Sequence, residues 1–364
     1  MEFGVFALPT YFPESDGPEG EYFRKLIDFL VLAEDLGFDS VWVNEHHFHP
    51  YGGMIPSPPV LLGALARATR RVRLGTSVMV LPLHDPLDVA EQMAMIDLIS
   101  GGRLDFGVGR GFVAHDYEVH NIAVSEGQDR TIECIEVILK AWSGQPFRHE
   151  GKHYQFDNVS VWPHPEQTPR PPVWMAATSN PASFELIGQH GFNLLTVAYL
   201  KTMEDLTGLI GLWRQGLAAG GHAGPRRVGA HYQVVLAEDR AEAHLLAEKS
   251  IRRYVLQNLE AQSLARTPVV RAETAALGRD AATSIDMARL VEEGRVLVGT
   301  PDDVVATLER VRDVLQVDEV HCTFTFGGIP FDRAERSMRL FAAEVIPRLR
   351  EPNLVAAGAE DRQI

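Results

Sequence analysis

Ser40-Val41-Trp42-Val43-Asn44-Glu45-His46-His47-Phe48 is the stretch on which the fold turns. Ser40 to Val43 is a short apolar run of strand length. Directly after it come an amide, a carboxylate and two imidazoles. Such groups at the end of a buried strand are expensive unless they find partners or do chemistry. Side chains alternate along a strand, so Trp42, Asn44 and His46 share one face and Glu45 lies on the other. In a barrel of alternating strands and helices, the carboxyl ends of the strands carry the active site.

Working outward, strands and helices alternate along the chain. Strands are predicted at 3–8, 40–44, 72–81, 104–109, 172–177, 192–198, 228–237 and 319–324. Helices are predicted between them, for example over 20–36, where Leu26, Phe29, Leu30, Ala33 and Leu36 form one stripe and Gly37 ends it. Residues 147–162 read as an inserted hairpin and 241–291 as a helical insertion, with weak periodicity and a mobile segment expected over 261–283. Eight strands with helical crossovers imply a parallel sheet closed on itself. The expected fold is therefore α/β, a (β/α)8 TIM barrel with insertions after strands 4 and 7. One domain is expected over 1–350, followed by a frayed tail over 351–364. An open doubly wound sheet is the structural alternative, but its glycine-rich first turn is absent from Pro9-Thr10-Tyr11-Phe12-Pro13.

The composition excludes several classes. The chain has 364 residues, 45% of them hydrophobic, and a formal net charge of −15. That acidity argues against nucleic acid, whose phosphates require clustered Lys and Arg. Cys134 and Cys322 are the only cysteines and form no disulfide or metal-type spacing, which points to a reducing cytoplasm. No apolar run approaches a membrane span, and no signal peptide is expected at the N-terminus.

The predicted strand ends collect the candidate site: Asn44 to His47, Thr76-Ser77-Val78, Gly107-Val108-Gly109-Arg110-Gly111, Thr178-Ser179-Asn180 with Ser183, and Thr323 with Thr325. In Thr178-Ser179-Asn180-Pro181-Ala182-Ser183, Ser179 or Asn180 can cap a helix whose first position is Pro181. Its free N–H groups suit an anion, and plain capping explains the same residues. Gly107, Gly109 and Gly111 lack G-x-G-x-x-G spacing and instead allow a flat ligand to approach the backbone. Arg110 between them suits an anion clamp or a surface ion pair. His47 and His49 have metal-ligand spacing, but strand eight ends in Cys322-Thr323-Phe324 with no carboxylate, so no metal is expected. A G-x-S-x-G elbow for serine chemistry is absent.

Glu45-His46-His47-Phe48, Leu74-Gly75-Thr76-Ser77, the run Gly102 to Gly111, Val298-Gly299-Thr300-Pro301 and Gly327-Gly328 together resemble the bacterial luciferase-like flavin monooxygenases, α-subunit branch. The resemblance extends to about Leu349. It implies a (β/α)8 barrel using reduced FMN (FMNH2) and O2 to oxidise a small or medium organic molecule through a flavin hydroperoxide. A separate reductase would supply the flavin. By position it implies that His46 is catalytic, with Glu45 and Asp116 beside it. Arg110, Ser179, Asn180 and Ser183 would hold the phosphate. A non-proline cis peptide at Ser77-Val78 would lie under the ring system, which Phe6, Asn44 and Gly109 also border. It implies a homodimer paired through early helices, with Leu61, Leu62, Leu65 and Ala66 as the candidate face. Gly109 replaces a reactive cysteine of the luciferase branch, Asn44 a leucine, and Ser179 an acid, which turns the expectation away from long-chain aldehydes and light emission. Two other readings share the fold: a deazaflavin- or flavin-dependent oxidoreductase without oxygen insertion, and a non-catalytic flavin-binding subunit.

Overall fold

The computed structural model describes residues 1–266 and 285–350. From 267 on, the segment expected to be mobile lies outside the described residues, as does the tail 351–364. The strands are β1 (Glu2–Ala7), β2 (Ser40–Val43), β3 (Arg73–Thr76), β4 (Met79–Val80), β5 (Leu104–Gly109), β6 (Phe147–Glu150), β7 (Gln155–Val159), β8 (Val173–Ala176), β9 (Asn193–Val197), β10 (Val228–Leu236), β11 (Leu297–Gly299) and β12 (Glu319–Thr323). β12, β1, β2, β3, β5, β8, β9 and β10 pair in that order, all parallel. β10 then pairs with β12 and closes the barrel. Helices fill the crossovers, so the closed (β/α)8 barrel is the fold.

Local chemistry explains the elements. In the helix Glu19–Asp35, Leu26, Phe29, Leu30 and Ala33 are buried at helical spacing, and Gly37 follows at φ 87°. The helix Pro86–Ser100 starts with Asp85 accepting from the Leu87 N–H (2.8 Å) and stops at Gly101 in the left-handed region. Along β1, Phe3, Val5 and Ala7 join the core under the helices, while Phe6 turns into the barrel with Leu8, Trp42, Tyr51, Trp174 and Leu195. The interior is filled by placing large residues opposite small ones. A Cβ on Gly75 would lie 2.1 Å from the Trp42 ring. The amino-terminal floor is polar. Arg73 pairs with Asp105 (2.5 Å), and Glu319 accepts from Ser40 and Trp42 and pairs with Arg227 (3.2 Å).

Four differences from the predicted elements have physical reasons. The strand predicted over 72–81 breaks at Ser77-Val78, which is a cis peptide, and only Met79–Val80 continues beside β5. β11 is a short strand added to the far end of β10. The helix Ala114–Val119 has no side-chain cap to announce it. Leu61, Leu62, Leu65 and Ala66 are all buried within the chain, so that face packs on the barrel and is not available for pairing. The two insertions are the antiparallel β6–β7 hairpin and the helix Arg240–Ser263 with Met287–Glu292.

Candidate active site

The site is assembled at the carboxyl ends of the strands. Beyond β2 the chain turns over Gly52 (φ 69°), where a Cβ would lie 2.6 Å from His46 and 2.7 Å from Asn44. Asn44 donates its amide to the Gly52 carbonyl (2.9 Å), while its Oδ1, buried, has no partner among the described residues. Glu45 points the other way, as the alternation requires. Its buried carboxylate accepts from the Val80 N–H (2.8 Å), from His84 (2.6 Å) and from His47 (2.9 Å). Burial alone would raise this carboxyl, but the bonds from His47, His84 and Val80 more than offset that and hold it at about 2. The bonds from Val80 and His84 anchor β4 and the following turn to the end of β2, and the bond from His47 fixes the loop beside it.

His46 is half-buried and faces the mouth. Its ring packs at 5.5 Å from Phe112 edge-on, 5.1 Å from Tyr51 and 5.6 Å from His49. Tyr51 is tied to Tyr254 of the insertion helix by a 2.9 Å hydroxyl pair, so this insertion closes over the β2 loop. Asp116, from the helix after β5, joins this group. One ligating atom from each of His46, His49 and Asp116 lies within 4.8 Å of the others. Burial, with His49 beside it, lowers His46 to about 3, so the imidazole is neutral. Burial raises Asp116 to about 7; His47 opposes the shift and Glu45 adds to it. Of the two, the carboxyl is therefore the group moved toward neutral pH, where the sequence pointed to the histidine.

The remaining predicted residues frame the same mouth. The cis peptide Ser77-Val78 runs beside Gly109, and a Cβ at Gly109 would lie 2.8 Å from Val78. The glycine thus makes room for a neighbouring strand, a reason the sequence did not suggest, and a cysteine there would collide with Val78. Ser77 bonds His231 (2.8 Å), whose ring lies 4.4 Å from Phe6. Arg110 is exposed at the end of β5, and its guanidinium has no ion pair or hydrogen bond among the described residues. Ser179 and Asn180 are exposed and Ser183 half-buried at the end of the adjacent β8. Asn180 is the cap, accepting from Ala182 (3.1 Å). The Ser183 N–H bonds the Asn180 carbonyl, so side chains and the helix dipole, not free amides, are what remain for an anion.

His49, His84 and His231 were not singled out in the sequence as parts of the site. His84 comes from the turn after β4 and His231 from β10, where inward alternation is the only signal for it. His49 had been weighed with His47, whereas the fold brings it to His46.

A family model described as luciferase-like monooxygenase matches residues 1–316. The chain belongs to that family. Among its relatives is the oxygenase component of a flavin-dependent trigonelline monooxygenase from Acinetobacter baylyi, 33% identical over 52% of this chain and 53% of that one. The solved monooxygenase RslO1 from Streptomyces bottropensis is 31% identical with a TM-score of 0.83, covering 96% of this luciferase-like chain and all of that one. At 20% identity the likeness is one of fold alone. It extends to the oxygenating constituent of 3,6-diketocamphane monooxygenase from Pseudomonas putida, solved with FMN (TM-score 0.77; 96% of this chain, 98% of that one). It also extends to an F420-dependent secondary alcohol dehydrogenase (TM-score 0.75; 96% of this chain, 99% of that one). The chain is thus a flavin-family monooxygenase enzyme. No helix among the described residues is long and apolar enough to cross a membrane.

Proposed function

We propose that this enzyme uses reduced FMN and O2 to put one oxygen atom into a small or medium organic substrate, with a separate reductase supplying the flavin. The observation that carries the reading is the pairing of unengaged Arg110 with Ser179, Asn180 and Ser183 at the same end of neighbouring strands, at the mouth that also holds His46. A phosphate dianion needs a guanidinium and hydroxyl or amide donors, and that is what these residues offer. The unpartnered, buried Oδ1 of Asn44 is a ready acceptor for a ring N–H. These residues fit the group. When bound, reduced FMN would supply the activation of O2. The chain would do the rest. Phe6, Asn44, Ser77, Val78 and Gly109 would border the ring, buried Tyr51 would keep water from one side of His46, and neutral His46 would pass a proton between the substrate side and Asp116, the member of the pair that titrates near pH 7. That the trigonelline relative is an oxygenase component supports the separate reductase. The free, buried cysteines suit a cytoplasmic setting.

Arg110→Ala should weaken FMN binding by about 1.5–3 kcal/mol, roughly 10- to 150-fold, as for a hydrogen bond to a charged group. Flavin fluorescence titration reads this, and unchanged affinity would put the phosphate elsewhere. Oxygen uptake with reduced FMN tests the reaction itself. If the wild type takes up no oxygen but transfers hydride with a deazaflavin, the monooxygenase reading fails.

The homodimer is retained with a different face. On Pro86–Ser100, Met95, Leu98 and Ile99 are 50%, 41% and 41% exposed, so the C-terminal half of this helix is apolar on its outer side as well as its inner one, while Asp88, Glu91 and Gln92 keep the first half polar. Light scattering should report a dimer, and Met95→Glu with Leu98→Glu a monomer. A wild-type monomer at micromolar concentration would refute the pairing.

A further inference from the structure

His49 and Asp116 carry more buried polar capacity than their surroundings use. His49 is 9% exposed, and among the described residues its ring nitrogens have no partner beyond a marginal contact with the Tyr51 backbone. Asp116 is 5% exposed, and its Oδ1 is likewise unpartnered. Buried polar atoms are almost always bonded, so several orphans in one place call for a missing partner. No Lys or Arg pairs with Asp116 among the described residues, and the nearby His47 is already bonded to Glu45. The orphans are shut off from solvent, so whatever ligates them must be small.

The geometry points to a divalent transition-metal site of the zinc class, formed by His46, His49 and Asp116, whose occupation switches the enzyme off. The three ligating atoms already lie within 4.8 Å of one another. Around a tetrahedral ion with bonds of about 2.0–2.2 Å, ligand atoms stand roughly 3.4 Å apart, so side-chain shifts of about an ångström complete the set. The ring centroids of His46 and His49, 5.6 Å apart, suit two imidazoles meeting one ion. Two nitrogens and a carboxylate oxygen are a donor set of this metal class, not of calcium or magnesium, which prefer oxygen alone. His46 is the least buried ligand, which leaves the fourth position on the side of the mouth. The binding claim stands on these atoms alone. The inhibitory consequence rests on the placement of His46 at the mouth under Proposed function, because an ion held by its ring would stand where the substrate must approach.

The test uses the flavin-free full chain with Zn2+ by calorimetry and Co2+ by visible absorption. The wild type should bind one ion per chain, with a Co2+ spectrum of low coordination, and should melt at higher temperature with Zn2+. Asp116→Asn keeps the side-chain shape and, with His49→Gln, should lose affinity by about 10-fold or more together with the Co2+ band. The chain has 14 histidines, so binding that both variants retain unchanged would place the ion elsewhere and overturn the site. Absence of wild-type binding at about 100 μM would do so too, since functional sites of this class bind far more tightly. Variant-sensitive binding that leaves oxygen uptake and product formation untouched would keep the site and overturn the switch.

Discussion

His46→Ala should leave FMN binding and folding nearly unchanged and reduce substrate oxidation by roughly 10²–10⁴-fold, the usual weight of a positioned acid or base. The phosphate residues proposed for FMN lie on β5 and β8, away from the β2 end that carries His46. His46 is half-buried at the mouth and makes ring contacts instead of structural hydrogen bonds, so its removal empties a small volume without orphaning a donor. Oxygen uptake should continue in the variant, with the oxygen released as hydrogen peroxide in place of product. Measuring peroxide and product together, in wild type and variant, decides it. Full product yield in the variant would make His46 a packing residue.

The same position shows how far the sequence reaches. Strand ends are legible because apolar runs, alternation and punctuation by Gly and Pro are local signals. β5, from Leu104 to Gly109, and the helix Met203–Ala219 follow the predicted limits. That Asn44 and His46 face one way and Glu45 the other also follows from alternation alone. What Glu45 does was not legible, because its partners Val80 and His84 arrive from the far side of a cis peptide. The candidate catalytic trio divides for the same reason. His46 and Asp116 come together, while Glu45 is consumed in positioning.

Long-range partners also decide which apolar residues are core. Leu61, Leu62, Leu65 and Ala66 present a stripe that periodicity cannot assign to a barrel or to a partner, and only the neighbouring helix Pro86–Ser100 resolves it. The second half of that helix is apolar on both sides, which a one-stripe reading misses. The proton exchange near neutral pH is another such case. A free histidine titrates there and a free aspartate does not, but burial reverses the two: His46 falls to about 3 and Asp116 rises to about 7.

Glu319→Gln at the barrel floor should destabilise the protein by about 3–5 kcal/mol, the range for breaking a buried charge network from one side. Glu319 is 2% exposed, accepts from Ser40 and from Trp42 (3.2 Å), and pairs with Arg227 (3.2 Å). His321 stands 3.4 Å away, at the long edge of hydrogen-bonding distance. An amide in place of the carboxylate turns an –NH2 toward donors and leaves Arg227 without its buried countercharge. The charge also sets a pH window. Burial pushes the carboxyl up, but His321, Ser40 and Arg227 more than offset that and hold it at about 2, against an ordinary 4.5. A depressed carboxyl stabilises the fold fully above the unfolded value and loses that contribution as pH falls from about 4.5 toward 2. The contribution is on the order of 3 kcal/mol at neutral pH. Denaturant midpoints for wild type and variant should therefore differ most at pH 7 and converge as the pH drops from 5 toward 3. At neutral pH the melting temperature of the variant should be lower by roughly 5–10 °C. A gap that stays constant across that range would mean that Glu319 is protonated in the folded barrel and that its hydrogen bonds, not its charge, hold the floor together.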